Sequence, residues 1–357
     1  MIFLFKRKEQ LFVKPTVNPP SWKRQIHNSI KSIYELKDKE LIPDDQTEID
    51  KLPIRITQYY LSVALKNKKL LKTIIPTKEE LIISNDESID PLAEEIYRKN
   101  KCIIHKYPNR VLFLVTKFCS TNCRFCTRSR IVGGNNPIFK NDWITGIEYI
   151  RQHPEIQDVL ISGGDPLTLS DESLFFILSE LRKINHIKIL RMGTKIPVVL
   201  PDRITGGLIN MLKQFSPLYM NIHFTHTAEI TSECKEAIKN LLNGGVILGS
   251  QTVLLKNVND SAEELQDLFN ELLSIGVRPY YIYNMDKIQG GEHFRCDLDT
   301  MINLMKKLVG FNSGLAIPEF IIDTEIGKIP LRYEFITKNE NNNYVLNSFE
   351  KNQSVMY

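Results

Sequence analysis

Cys119, Cys123 and Cys126 stand in a C-x3-C-x2-C arrangement within the ten residues from Lys117 to Cys126. Three thiolates on one tight loop can hold three irons of a cubane cluster, which leaves the fourth iron free to bind another molecule. A structural zinc site closes with four ligands, usually as two separated pairs, and no second pair exists here. A zinc knuckle would need Cys102 or a histidine as fourth ligand; a further alternative is buried thiols with no ligand role. The iron–sulfur alternative is favoured. The other cysteines, Cys102, Cys234 and Cys296, are scattered, so the six do not read as a disulfide framework and a reducing, cytoplasmic setting is expected.

The elements that must position this loop follow from pattern. At 357 residues the chain corresponds to about two domains, or to one large α/β barrel with an appendage. With 42% hydrophobic and 25% charged residues it is globular, and a net charge of +4 from interspersed signs excludes a dedicated nucleic-acid binder. No apolar run approaches the roughly 20 residues of a membrane span, and the start MIFLFKRKEQ reverses the order of a secretory signal. Residues 1–105 read as mainly helical: Trp22 to Leu36 has helical apolar spacing, Pro43-Asp44-Asp45 breaks it, and Ile56 to Leu65 suggests a second helix. Residues 106–335 alternate strand-like runs with amphipathic segments, predicting strands near 111–116, 158–162, 187–192, 218–225, 247–255, 279–284 and 317–322. Ser261 with Glu264 predicts a capped helix ending at Gly276, and Ser170 caps one running to about Ile184. Six or seven βα units predict an incomplete barrel or an open doubly wound sheet, α/β in either case, with ligands at the carboxyl ends of the strands. Residues 336–357 form a polar, Asn-rich tail expected to be loose.

The Cys spacing, an aromatic before the last Cys and the position after a barrel strand resemble the radical S-adenosylmethionine (radical SAM) superfamily. Thr127-Arg128-Ser129-Arg130 narrows the resemblance to the lysine 2,3-aminomutase family. Further matches are Tyr107-Pro108-Asn109-Arg110, Ser162-Gly163-Gly164-Asp165-Pro166-Leu167, Pro197 to Pro201, Asn221-Ile222-His223-Phe224, Gln251 to Leu255, Arg278 to Tyr283 and Gly327-Lys328-Ile329-Pro330, together spanning about residues 22 to 333. The resemblance implies a (β/α)6-type radical SAM barrel and an isomerase using a [4Fe–4S] cluster, S-adenosylmethionine and pyridoxal 5′-phosphate. Cys119, Cys123 and Cys126 would ligate the cluster. Ser162, Gly163, Gly164, Asp165 and His223 would contact S-adenosylmethionine, with Asp165 accepting from its ammonium group. The local alternatives are an ordinary strand-end turn and a satisfied polar histidine. Lys328 matches the lysine that holds pyridoxal phosphate as a Schiff base, and Arg110, Gln251 and Lys106, where relatives usually carry Arg, match positions around its phosphate.

For the substrate, the resemblance gives Arg128 the carboxylate, Asp286 and Asp323 the distant ammonium group, and Tyr283 a place beside cofactor or substrate. Solvated loop acids and a core tyrosine are the plainer alternatives. Two acids favour a basic side chain, so the expected reaction is L-lysine to β-lysine. Arginine or glutamate, or β-lysine formation serving elongation factor P modification, are the alternatives. From another class, a non-catalytic metal or redox module would predict zinc, or an iron cluster with four protein ligands and no spectral response to S-adenosylmethionine. The segment Asp323 to Lys328 is about two residues shorter than in relatives. Ser261 replaces an expected zinc-binding Cys, so zinc is not expected and a simple homodimer is. A flavodoxin or ferredoxin is the expected electron donor.

Overall fold

The computed structural model describes residues 20–357 apart from 47, 48, 50, 135, 311, 333, 334, 342 and 349–352. The apolar-then-basic start lies outside the described residues. Among the described residues the first region carries four short α-helices, α1 (Ser21–His27), α2 (Ile33–Lys37), α3 (Gln58–Ala64) and α4 (Lys68–Lys72). The single helix expected over Trp22 to Leu36 is therefore two. Ile30 leaves the helix to exchange backbone hydrogen bonds with Ile56 (2.9 and 3.1 Å), and Ser32 caps α2 by accepting from the Glu35 amide. A competing strand-like pairing and a cap outweigh the apolar period.

Among the described residues the main sheet has nine strands in consecutive order: β1 (Ile103–Tyr107), β2 (Arg110–Thr116), β3 (Asp158–Gly163), β4 (Ile189–Thr194), β5 (Leu218–His223), β6 (Val246–Leu254), β7 (Arg278–Asn284), β8 (Glu319–Thr324) and β9 (Gly327–Pro330). Strands β2 to β8 are parallel and are the seven read from the sequence; β1 and β9 pair antiparallel at the two edges. A boundary at residue 105 thus falls inside β1, too short and polar to announce itself. Helices α5 (Lys140–Arg151), α6 (Asp171–Arg182), α7 (Ile196–Val199) with α8 (Gly206–Leu212), α9 (Ser232–Asn243), α10 (Ala262–Ser274) and α11 (Leu298–Leu308) make the six connections, giving the incomplete (β/α)6-type barrel. Ser170 and Ser261 cap α6 and α10 as expected, and Gly276 takes φ +83° after α10.

Strand periodicity builds the site. In β6, Val246, Leu248, Ser250, Thr252 and Leu254 are buried on one face, so Gln251 and Val253 turn to the barrel interior. The same alternation turns Arg110, Ser162, Arg191, His223, Tyr283 and Asp323 inward, while Val159, Ile161, Leu190 and Met192 pack under the helices. In α6, Leu174, Ile177, Leu178 and Leu181 form the matching apolar stripe. Strands β1 and β9 do not pair with each other; side chains bridge the seam. Lys106 Nζ donates to Thr324 O (2.6 Å), and the Lys328 amide donates to Tyr107 Oη (2.8 Å).

The tail is not loose. It folds into a second sheet, β10 (Ile336–Lys338), β11 (Tyr344–Asn347) and β12 (Ser354–Met356), with Leu346 fully buried in the main core. Asn339 Oδ1 accepts from the Asn341 and Asn343 amides (both 3.0 Å), so the asparagines make a turn where composition suggested disorder.

Candidate functional site

The cysteine loop leaves the end of β2 and is gripped from both sides. From the barrel, Thr116 O accepts from the Gly164 amide (2.7 Å) and Phe118 O from the Asp165 amide (2.8 Å). A Cβ on Gly163 would lie 2.1 Å from Thr116 O and one on Gly164 2.3 Å from Phe118 O, so both glycines are required by the loop's own backbone. From the first region, Arg55 O accepts from the Asn122 amide (2.8 Å) and Thr73 O from the Arg124 amide (2.8 Å). Arg124 is itself buried, paired through Nε and Nη2 with Glu80 (2.9 and 2.7 Å) and bonded to Leu52 O (2.7 Å). All three thiols line a cavity of about 300 Å³ that also takes in Ser162, Gly164, Asp165, His223, Asp286 and Lys328.

The donor set suits a polynuclear centre. Burial raises all three thiol pKa values, neighbouring thiols add to the rise at Cys119 and Cys123, and Cys123 is pushed up to about 12. A strongly cationic centre is what would keep them as thiolates. Among the described residues no three His, Cys, Asp or Glu side chains group tightly enough for a single ion. Cys102, the alternative fourth zinc ligand, is buried in the main core beside Gly146 and Phe113.

Above the thiols, Phe125 stacks on His223 (ring centroids 5.6 Å apart). Burial and the nearby Lys195 ammonium hold the His223 pKa well down, so its ring is neutral, with Nε2 3.2 Å from Thr225 Oγ1. Asp165 differs from expectation. Its oxygens already accept from Thr194 Oγ1 (2.7 and 2.8 Å), the Lys195 amide (2.7 Å) and the Leu167 amide (3.1 Å), so protein donors occupy the place given to an ammonium group. Burial lifts its pKa to about 6 despite them.

A second cavity of about 230 Å³ runs down the barrel interior and shares Leu92, Arg128, Gln251, Tyr283, Asp323 and Lys328 with the first. Its lower end holds Arg110, stacked on Tyr107 (3.9 Å), and Arg191, held by Asp158 through Nε (2.8 Å). A phosphate would find cations there, and Lys328 lines the same space, so the residues fit pyridoxal phosphate. Lys106 lines the cavity too, but its ammonium already donates to Leu92 O (3.1 Å) and Thr324 O (2.6 Å). It fastens the seam.

The short segment after Asp323 is a tight hairpin. Thr324 faces Gly327 across Glu325 and Ile326, Gly327 takes φ +122°, and Asp323 falls opposite Lys328. The two side chains form an ion pair over Tyr283, whose ring centroid is 5.2 Å from Nζ. Burial opposes the charge on Lys328, but Asp323, with smaller contributions from Tyr283 and Tyr107, raises the pKa above the usual lysine value. Asp286 shares the cleft. Burial and the Asp323 charge push its pKa far up, and its Oδ1 has no partner. Such an atom fits an absent cation.

The structure brings the cysteines, His223, Arg128, Gln251, Tyr283, Asp286, Asp323 and Lys328 to one pair of connected cavities. Sequence reasoning missed Arg191, Lys195 and Glu94. Arg191 alternates with outward-facing Leu190 and Met192, a usable signal; Lys195, just past β4, and Glu94, in an acidic stretch before β1, had none.

A family model described as the radical SAM superfamily matches residues 113–272. The chain is 40% identical over 340 residues to the L-lysine 2,3-aminomutase of Fusobacterium nucleatum, covering 92% of this chain and 80% of the relative. It is 40% identical to the L-lysine 2,3-aminomutase of Clostridium subterminale (92% and 82% covered) and 37% identical to the glutamate 2,3-aminomutase of Clostridioides difficile (97% and 85%). Thiol loop, inward-facing strand ends and near-full-length similarity agree: the chain belongs to the radical SAM superfamily and, within it, to the lysine 2,3-aminomutase family.

Proposed function

We propose that this member of the family is an aminomutase that moves the α-amino group of L-lysine from C2 to C3. The observation that carries the substrate is the pair Asp286 and Asp323, with an unpartnered Asp286 oxygen, in the same cleft as Arg128. Cys119, Cys123 and Cys126 would hold the [4Fe–4S] cluster, with S-adenosylmethionine against Ser162, Gly164 and His223, and Lys328 would hold pyridoxal phosphate with its phosphate toward Arg110, Arg191 and Gln251. When bound, these groups supply a carbon radical that takes hydrogen from the substrate and a π system through which nitrogen can migrate.

The residues of the chain bind and orient. Arg128 presents planar donors to a carboxylate, which a bidentate fork fits best. A side-chain ammonium entering the cleft would favour the ionised form of Asp286 and pair with it beside Asp323, whereas a side-chain carboxylate would add a like charge next to Asp323, which disfavours glutamate. Asp323 holds Lys328 as an ammonium while that nitrogen is free. Where Lys328 would instead hold pyridoxal phosphate, Asp323 would stand beside Asp286 at the cleft open to a substrate ammonium. Tyr283 and Phe125 are apolar walls that keep water from the reacting carbons.

The reading carries with it a flavodoxin or ferredoxin as electron donor, a homodimer, and the cytoplasm. Among the described residues no helix is long and apolar enough to cross a membrane. The test is anaerobic reconstitution with iron, sulfide, pyridoxal phosphate, S-adenosylmethionine and dithionite, then chromatography of a pool of twenty amino acids. A β-lysine peak is expected. A β-isomer of arginine or glutamate alone would move the substrate assignment, and S-adenosylmethionine cleavage without any isomer would remove it.

A further inference from the structure

One carboxylate lining the barrel cavity is spoken for by arginines alone. Glu94 is only 5% exposed, and both its oxygens are taken by arginines. Arg128 Nε donates to Oε1 (2.9 Å) and Oε2 (3.2 Å), Arg128 Nη2 donates to Oε1 (2.7 Å), and Arg130 Nη2 donates to Oε2 (3.2 Å). A guanidinium has five N–H donors in one plane and two edges that can meet a carboxylate in a fork. Glu94 covers the side edge, formed by Nε and one Nη2 hydrogen. Among the described residues no protein group accepts from the end edge, formed by Nη1 and the other Nη2 hydrogen, and Arg128 lines both cavities.

Glu94 is in turn held firmly. The Asp90 carboxylate accepts from the Glu94 amide (3.1 Å) and the Glu95 amide (2.9 Å), and pairs with Arg130 (2.9 Å). Ala93 takes the left-handed conformation at φ +52°, which is unfavourable for an alanine and persists only where the surroundings fix it. Leu92 O accepts from Lys106, tying the same turn to β1. The turn presents one carboxylate in one place.

We propose, on the reading of Arg128 as the clamp for the substrate carboxylate, that Glu94 is a positioning residue that sets the substrate class to free α-amino acids. By occupying the side edge it fixes the guanidinium plane, so the end edge is offered to an incoming carboxylate with both oxygens in reach. A neutral amide, or the carbonyl of a peptide-linked residue, offers only one acceptor to that edge and leaves a donor unpaired.

The test is equilibrium titration of the cofactor-loaded, unreduced protein with L-lysine and with L-lysinamide, followed by steady-state kinetics on lysine. In the unaltered protein lysine should bind about 30-fold more tightly than its amide, the range of a charge-assisted fork. Glu94→Gln should cut that preference to about threefold, raise Kd and KM for lysine roughly tenfold, and leave kcat within about twofold. Glu94→Asp should fall between. Equal weakening of both ligands by Glu94→Gln, with the preference intact, would make Glu94 merely structural and overturn the proposal. Failure of both Glu94 variants to fold and load cofactor would overturn it likewise. Arg128→Gln separates the premise: if that change leaves the preference intact, the clamp assignment fails first.

Discussion

The cysteine loop and the hairpin carrying Lys328 face each other across one cleft, but they are anchored in different ways. The loop is held by backbone bonds to β3 and to the first region, and by the buried Arg124–Glu80 pair, whose side chains are 1% and 0% exposed. The hairpin is the last element of an open sheet. Beyond its pairing with β8 it is fastened by the Tyr107 hydroxyl and the Lys106 ammonium. If the three thiols share one inorganic centre, as proposed, they tolerate little displacement, whereas a lysine holding a single ligand could rest on a few bonds that the bound molecule completes. On that reading the first wall is built before anything binds and the second is completed by what it binds.

The largest effects should divide the two walls. Cys119→Ala, Cys123→Ala or Cys126→Ala should abolish both turnover and the visible absorbance of the reconstituted cluster. Lys328→Ala should abolish turnover while the cluster spectrum persists; retained isomerisation would end the assignment of Lys328. Next, Glu80→Gln leaves the Arg124 charge buried without a counter-ion and should lower the unfolding free energy by about 3–5 kcal/mol in denaturant titration. An unchanged midpoint would mean that the loop does not depend on its collar. On the other wall, Asp323→Asn removes the carboxylate that raises the Lys328 pKa. In the unaltered chain that pair stabilises at pH values below the ordinary lysine range and its contribution is lost as pH rises above it. Cofactor capture needs the neutral amine, so it should improve with rising pH, and Asp323→Asn should move the half-loading pH downward, read from cofactor absorbance. A shift upward would contradict the ion pair. The smallest change is Tyr107→Phe, which strips the Lys328 amide of its acceptor at about 1 kcal/mol; faster hydrogen exchange at the hairpin and little change in global stability are expected.

Much of the first wall was readable from sequence. Strands β2 to β8 announce themselves as β-branched runs between turn residues, and three cysteines at fixed spacing define their own loop. The second wall was not readable in the same way. Strand β9 has four residues, and the meeting of Asp323 with Lys328 depends on register across a two-residue turn, which no periodicity reports. Asp165 looked like a ligand to an ammonium group because its type allowed it; only the placement of Thr194 and the Lys195 amide shows it already bonded. The asparagines near residue 340 lower hydropathy and imitate disorder, while their side chains build the turn between β10 and β11.

The consecutive strand order has a consequence during synthesis. Each strand of the main sheet pairs only with its neighbours in sequence, so pairing can advance as the chain leaves the ribosome. Leu52, Thr73 and Glu80, which grip the thiol loop, precede it in the chain, and β3 follows shortly after. Lys328 lies 202 residues beyond Cys126, which at ordinary translation rates is about 10 to 40 s. The thiol loop therefore has its supports while the opposite wall has yet to be translated, so under the proposed assignments inorganic assembly can precede capture of the organic cofactor in the nascent protein.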